Sequence, residues 1–267
     1  MNYMDTGLGP VNYETIQAVV VERVAYLIFN RPPLNIFTIA MMREIYDALN
    51  RISKISQICA IVFAANPISK AFSAGVSIEE HRKETVYQML ESFHNIFRIL
   101  NSYSKPTVAV VNGPALGGGC ELAAFCDIVI ASDKAKFGQP EIRLGVFPPI
   151  GALILPKIIG IKRATELILT GEPIDAIEGH SLGLVNCVVD ESQLEIRTQE
   201  VLSRFREESA VVLEAARRAI FTSFYGEFEE DLTKIEEQYL IHLMALNDSR
   251  EGIQAFTEKR KPIWRHR

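Results

Sequence analysis

Nowhere in the 267 residues do eighteen apolar residues run together, so no membrane-spanning helix is expected. The opening stretch, Met1-Asn2-Tyr3-Met4-Asp5-Thr6-Gly7, lacks both the basic flank and the apolar centre of a secretory leader. A soluble, cytoplasmic protein is the expectation. Of the four cysteines, Cys59, Cys120, Cys126 and Cys187, no two form a Cys-x-x-Cys pair, and His81, His94, His180, His242 and His266 are scattered without ligand spacing. Reduced core thiols and no metal site are expected.

Nucleotide fingerprints are missing too: there is no Gly-x-x-x-x-Gly-Lys-Ser/Thr, and no Gly-x-Gly-x-x-Gly opens a strand-to-helix unit. With 28 Lys and Arg against 33 Asp and Glu, the formal charge is −5, which argues against a nucleic-acid-coating surface. Internal repeats, low-complexity stretches and Gly/Ser linkers are all lacking. At 48% hydrophobic, the chain can bury a large core.

What is present alternates. The segments 16–21, 24–29, 60–63, 107–111, 128–131 and 185–189 read as strands, with helices between them. Over residues 84–100, Val86, Met89, Leu90, Phe93, Ile96, Phe97 and Leu100 recur at three- and four-residue steps, the pattern of a helix with one buried face. After about residue 190 the pattern is all-helical. Ser209 and Ser249 are expected N-caps, and Asp175-Ala176-Ile177-Glu178 a capping box. The fold class is α/β with a helical C-terminal region.

Two glutamates stand where short polar interruptions break apolar stretches: Glu121 after Gly117-Gly118-Gly119-Cys120, and Glu141 after Phe137-Gly138-Gln139-Pro140. Two carboxyls in one partly dry pocket can divide acid and base work, because their proton affinities separate. Read alone, either could cap a helix or begin a turn. The glycine run follows the 107–111 strand and leads into a helix expected over 121–125, so its N–H groups are available to an anion or simply form a tight turn.

Three ordered motifs then carry a family resemblance. Residues 70–76 (Lys-Ala-Phe-Ser-Ala-Gly-Val), 112–123 (Asn-Gly-Pro-Ala-Leu-Gly-Gly-Gly-Cys-Glu-Leu-Ala) and 137–145 (Phe-Gly-Gln-Pro-Glu-Ile-Arg-Leu-Gly) together resemble the crotonase superfamily of enoyl-CoA hydratases and isomerases. The likeness extends from Asn30-Arg31-Pro32 to the basic stretch 258–262. It implies a spiral core of repeated ββα turns over 1–190 that holds the site, and a helical region over 191–267 for subunit packing and coenzyme A contact. Trimers that pair into hexamers are implied as well.

The resemblance also implies roles. The backbone N–H groups of Val76 and Gly118 would hold the thioester oxygen, Glu121 would activate water, and Glu141 would carry the proton. Oxyanion donors of this kind are worth about 10²–10³ in rate each. Pro33, Leu34, Ala74 and Val76 would meet the coenzyme A moiety, Phe147 and Pro149 the acyl group, and Lys259 and Lys261 the phosphates. Coenzyme A is then part of the substrate, and no cofactor is expected.

Several features bear on the substrate. After Glu141, Pro148-Pro149-Ile150-Gly151-Ala152 replaces the family's glycine-rich stretch, which predicts a stiffer wall beside the acyl pocket. Ser77 stands where many members carry aspartate, and His81 follows the oxyanion turn closely enough to reach the acyl pocket. The segments 31–36, 72–76 and 144–149 look most like cyclohexa-1,5-diene-1-carbonyl-CoA hydratases of anaerobic aromatic degradation, which implies a flat ring substrate. The alternatives are a short-chain enoyl-CoA hydratase and an isomerase with one essential glutamate. A second, RNA-binding role would need a lysine-rich helix, whereas the helices here mix signs.

Overall fold

The computed structural model describes residues 12–222, 224 and 226–266. In chain order the strands are β1 (Ile16–Val21), β2 (Val24–Phe29), β3 (Ala60–Ala65), β4 (Thr107–Val111), β5 (Ala115–Leu116), β6 (Ile128–Ser132), β7 (Lys136–Gly138), β8 (Ile174–Asp175) and β9 (Cys187–Val189). Six of them form one sheet in the order β1-β2-β3-β4-β6-β9, antiparallel only at the β1–β2 hairpin. The short strands make a second sheet, β5-β7-β8.

The helices are α1 (Ile39–Ser53), α2 (Val86–Ser102), α3 (Gly118–Phe125), α4 (Pro149–Ile158), α5 (Ile161–Thr170), α6 (Ala176–Ser181), α7 (Leu194–Glu207), α8 (Ala210–Phe221), α9 (Phe228–Glu237) and α10 (Asn247–Thr257). A spiral emerges from this order. β2 leads through Phe37 into α1, β3 through residues 73–76 into α2, and β4 through β5 into α3. The short middle pieces bridge one another in parallel, Phe37 with Val76, Ser73 with Ala115, and Ala115 with Phe137. Each ββα turn therefore delivers one loop to the same edge.

Both faces of the large sheet are buried, as expected for parallel strands covered on each side. Alternate residues Leu27, Phe29, Phe63, Val111 and Ala131 face the main core, while Val24, Val62, Val108 and Ile130 face Leu194 and Leu202 of α7. All seven stripe residues of α2 are buried. Edge-on aromatic contacts run Phe93–Phe97, Phe97–Phe125 and Phe125–Phe228, which ties α2 and α3 to α9. The buried His94 also bonds Glu236 at 2.6 Å, and Arg98 bonds Glu229 at 2.9 Å.

Some boundaries differ from the sequence reading. β3 and β6 run to Ala65 and Ser132, and β9 starts only at Cys187 because the Val185 N–H turns back to the Gly179 carbonyl. The first turn of α3 already includes Gly118, three residues ahead of Glu121. Asp175 caps α6 through the Glu178 N–H, as its motif predicts. Ser209 takes the cap position of α8 without a capping bond. Ser249 is not a cap: it lies inside α10, and its hydroxyl bonds back to the Leu246 carbonyl. Among the described residues, no helix is long and apolar enough to cross a membrane.

Candidate active site

A cavity of about 390 Å³ opens where the spiral's loops converge. Its walls include Ala74, Val76, Gly118, Glu121, Glu141, Phe147 and Pro149, all singled out in the sequence. Each arrives for a local reason. Val76 ends the second ββ segment, where the Gly75 carbonyl and the Ser77 N–H are both bonded to Phe37. The Val76 N–H therefore points away from that ladder. Gly118 is the first residue of α3, whose opening N–H groups have no intrahelical partner. Neither N–H has a hydrogen-bond partner among the described residues.

The two turns touch. A Cβ on Gly118 would lie 2.8 Å from the Val76 side chain, and one on Gly75 would lie 3.5 Å from the Gly118 nitrogen. Gly117, at φ 51°, leaves the space that the Glu141 carboxyl fills, since any Cβ there would overlap Glu141 Oε1. The glycines thus shape the site sterically as well as freeing its donors.

The two carboxyls differ in their surroundings. Glu121 is 2% exposed, and its Oε1 accepts the Gly151 N–H at 2.6 Å. Burial raises its pKa to about 7, against the lowering effect of the Gly151 and Ile150 N–H groups at the start of α4. Glu141 sits in a 3₁₀ turn, Pro140–Leu144, with its Oε2 buried and without a hydrogen-bond partner among the described residues. Burial, and next the neighbouring Glu121 charge, push its pKa well above the ordinary carboxylate range. These surroundings favour the proton on Glu141, beside the Glu121 charge, over Glu121, which accepts the N–H groups of α4.

Pro148 and Pro149 line the cavity, as the stiff-wall expectation required, but Ile150 does not. It is fully buried in the main core, because one step along α4 turns its side chain away from the cavity. His81 is in the wall, its Nδ1 2.9 Å from the Ser77 carbonyl, and burial lowers its pKa. Ser77 is not in the wall.

Four expected contact residues also lie outside the cavity wall. Pro33 and Leu34 are exposed on the turn beside it, where the Leu34 carbonyl accepts the Ala74 N–H at 2.9 Å and the Pro33 carbonyl accepts the Lys70 N–H at 2.8 Å. Lys259 and Lys261 are exposed on the tail after α10. That tail folds back because Arg260 pairs with Glu251 and Glu258, and Asp248 accepts the N–H groups of Arg265 and His266.

Tyr239 is a wall residue that no sequence signal marked. Its ring meets Phe147 edge-on at 5.2 Å, and it is brought there by the packing of α9 rather than by any local motif. Phe93 of α2 and Phe256 of α10 belong to the apolar side, with Ile78, Met89, Leu90 and Leu144.

Similarity to known proteins fits this geometry. The chain matches the family described as enoyl-CoA hydratase/isomerase over residues 20–267. It is 38% identical over 261 residues to the probable enoyl-CoA hydratase echA8 of Mycobacterium bovis, covering 96% of this chain and 100% of that one. It is 35% identical to the cyclohexa-1,5-dienecarbonyl-CoA hydratase of Thauera aromatica, covering 89% and 91%. The crystal structure of an enoyl-CoA hydratase from Mycobacterium avium subsp. paratuberculosis superposes with a TM-score of 0.85 at 26% identity, covering 95% of this chain and 99% of that one. The chain belongs to the enoyl-CoA hydratase/isomerase family.

Proposed function

We propose that this chain is an enoyl-CoA hydratase, adding water across the double bond next to a coenzyme A thioester. One observation carries the reading: two buried carboxyls with separated proton affinities share a cavity with two unpartnered backbone N–H groups. In the proposed step the Glu121 carboxylate takes a proton from water as its oxygen attacks the β-carbon. Charge moves onto the thioester oxygen, held by Val76 and Gly118 N–H. The protonated Glu141 then delivers its proton to the α-carbon, and the Glu121 proton returns to Glu141 to reset the pair.

For the rest of the substrate, Ala74 with the adjacent Pro33 and Leu34 turn is proposed to meet the pantetheine arm. Lys259 and Lys261 are proposed phosphate contacts on the strength of the resemblance alone. Assembly into a trimer or hexamer is proposed on the same ground, with exposed Val211, Val212 and Ile220 of α8 offering apolar surface. The cavity volume suits a short acyl group, and relatives named simply as enoyl-CoA hydratases favour a short straight chain. A second reading, a cyclic dienoyl group, is favoured by the rigid Pro148–Pro149 wall and by the Thauera aromatica relative.

Incubation with crotonyl-CoA in isotopically labelled water, followed by mass spectrometry, tests the reaction class. Hydration places labelled oxygen in the product; a shifted double bond without label would replace it with isomerisation. Specificity constants for crotonyl-CoA and cyclohexa-1,5-diene-1-carbonyl-CoA then decide between the two acyl groups.

A further inference from the structure

Tyr239 enters the cavity from a π-helical turn, Gln238–His242, that follows α9. Such turns re-aim side chains and recur at functional sites. The residue is 1% exposed, yet no hydrogen bond reaches its hydroxyl among the described residues. The residue lines the cavity, and its oxygen is not among the fully buried polar atoms, so the hydroxyl is left to donate to whatever group the cavity holds. Burial, then the charges of Glu141 and Glu121, keep the phenol protonated far above its usual range. It is thus a standing donor that shares the cavity with the two carboxyls and has no acceptor among the described residues.

The proposed reaction leaves one acceptor without a donor. The thioester oxygen has Val76 and Gly118, the water's departing proton has Glu121, and the Glu141 proton goes to the α-carbon. The oxygen at the β-carbon, first as attacking water and then as product hydroxyl, still has a free lone pair. Building on the hydratase reading, we propose that Tyr239 donates a hydrogen bond to this β-oxygen, positioning water for attack and stabilising the leaving oxygen in the reverse reaction. Phe147, packed against the ring edge, holds the phenol in place.

The test compares two thioesters that cannot be hydrated and differ at the β-position: acetoacetyl-CoA, with an oxygen there, and butyryl-CoA, with none. Calorimetric affinities are measured for the wild-type protein and for Tyr239→Phe. The expected result is a wild-type preference for acetoacetyl-CoA that the variant loses, by about tenfold, the worth of one hydrogen bond. Butyryl-CoA affinity should stay unchanged, and so should the melting temperature. Equal wild-type affinities, binding of neither thioester, an unaltered preference in the variant, or a parallel loss for both thioesters with a lower melting temperature would each overturn the proposal. Hydration of crotonyl-CoA by the wild type is scored separately, so a failure of the hydratase reading is not confused with a failure of this contact.

Discussion

The Glu121 carboxylate rests on the backbone N–H of Gly151, 2.6 Å away, at the first turn of α4. α4 opens with Pro149, which has no N–H, so the first donors of the helix are those of Ile150 and Gly151, and both act on Glu121. They offset part of the burial penalty that would otherwise keep Glu121 protonated. Glu141 has only its own backbone N–H against the burial penalty, and feels the Glu121 charge besides. The start of one helix thus makes two chemically identical side chains unequal.

From that inequality a bell-shaped pH profile follows. Turnover should rise through about pH 7 as Glu121 ionises and fall at higher pH as Glu141 loses its proton. The apparent values belong to the pair and not to either residue alone. Initial rates of crotonyl-CoA hydration between pH 5 and 10 check this; a flat profile across that range contradicts the division of labour.

Replacing Glu121 or Glu141 by Gln should lower turnover by roughly 10²–10⁴ while leaving the fold intact. Stability should move the other way. A carboxyl whose pKa is raised on folding, from 4.5 to about 7 for Glu121, favours the folded state at low pH and loses that benefit as pH rises through 7. The Gln variant escapes the loss. Its melting temperature relative to wild type should therefore climb between pH 5 and pH 8, with an upper bound of about 3 kcal/mol. A difference that stays constant with pH would show that Glu121 is not ionising in a buried site.

Gly117 should tolerate no side chain. At φ 51° and ψ −126° an alanine is strained by about 1–3 kcal/mol, and its Cβ would displace the Glu141 carboxyl. Gly117→Ala is expected to lose at least tenfold in turnover and to shift the alkaline limb of the pH profile, which reports Glu141. Retained activity with an unshifted limb would mean that the carboxyl has room the packing does not show.

The alternation of strands and helices, the glycine run and the two glutamates were legible because each rests on local chemistry, apolar strand segments, a helix start and a turn, whereas the spiral came only from the resemblance carried by residues 70–76, 112–123 and 137–145. Tyr239 was not legible, since it reaches the cavity only through tertiary packing of α9 on α3 and α4. The course of the basic tail was not legible for a related reason. Lys259 and Lys261 stand beside Arg260, but Glu251 and Glu258 of the same C-terminal segment claim that arginine and fold the tail along α10. Ile150 shows the finest grain: its position beside the cavity was visible, but the rotation of α4 that buries its side chain was not.

That rotation separates two substitutions one residue apart. Pro149 forms part of the cavity wall, while Ile150 is fully buried in the core. Pro149→Ala keeps the helix but removes part of a rigid apolar wall. It should change the ratio of specificity constants for cyclohexa-1,5-diene-1-carbonyl-CoA and crotonyl-CoA by at most ten- to two-hundred-fold, the reach of about 1–3 kcal/mol of pocket contact, with stability altered by about 1 kcal/mol or less. Ile150→Ala leaves the wall in place and opens a core cavity, so it should destabilise by about 2–5 kcal/mol and leave that ratio within about twofold. Paired denaturation curves and steady-state kinetics on both variants read the two effects independently. If Ile150→Ala moves the ratio as far as Pro149→Ala does, the acyl group is sensed through the core packing of α4 and not by the proline wall.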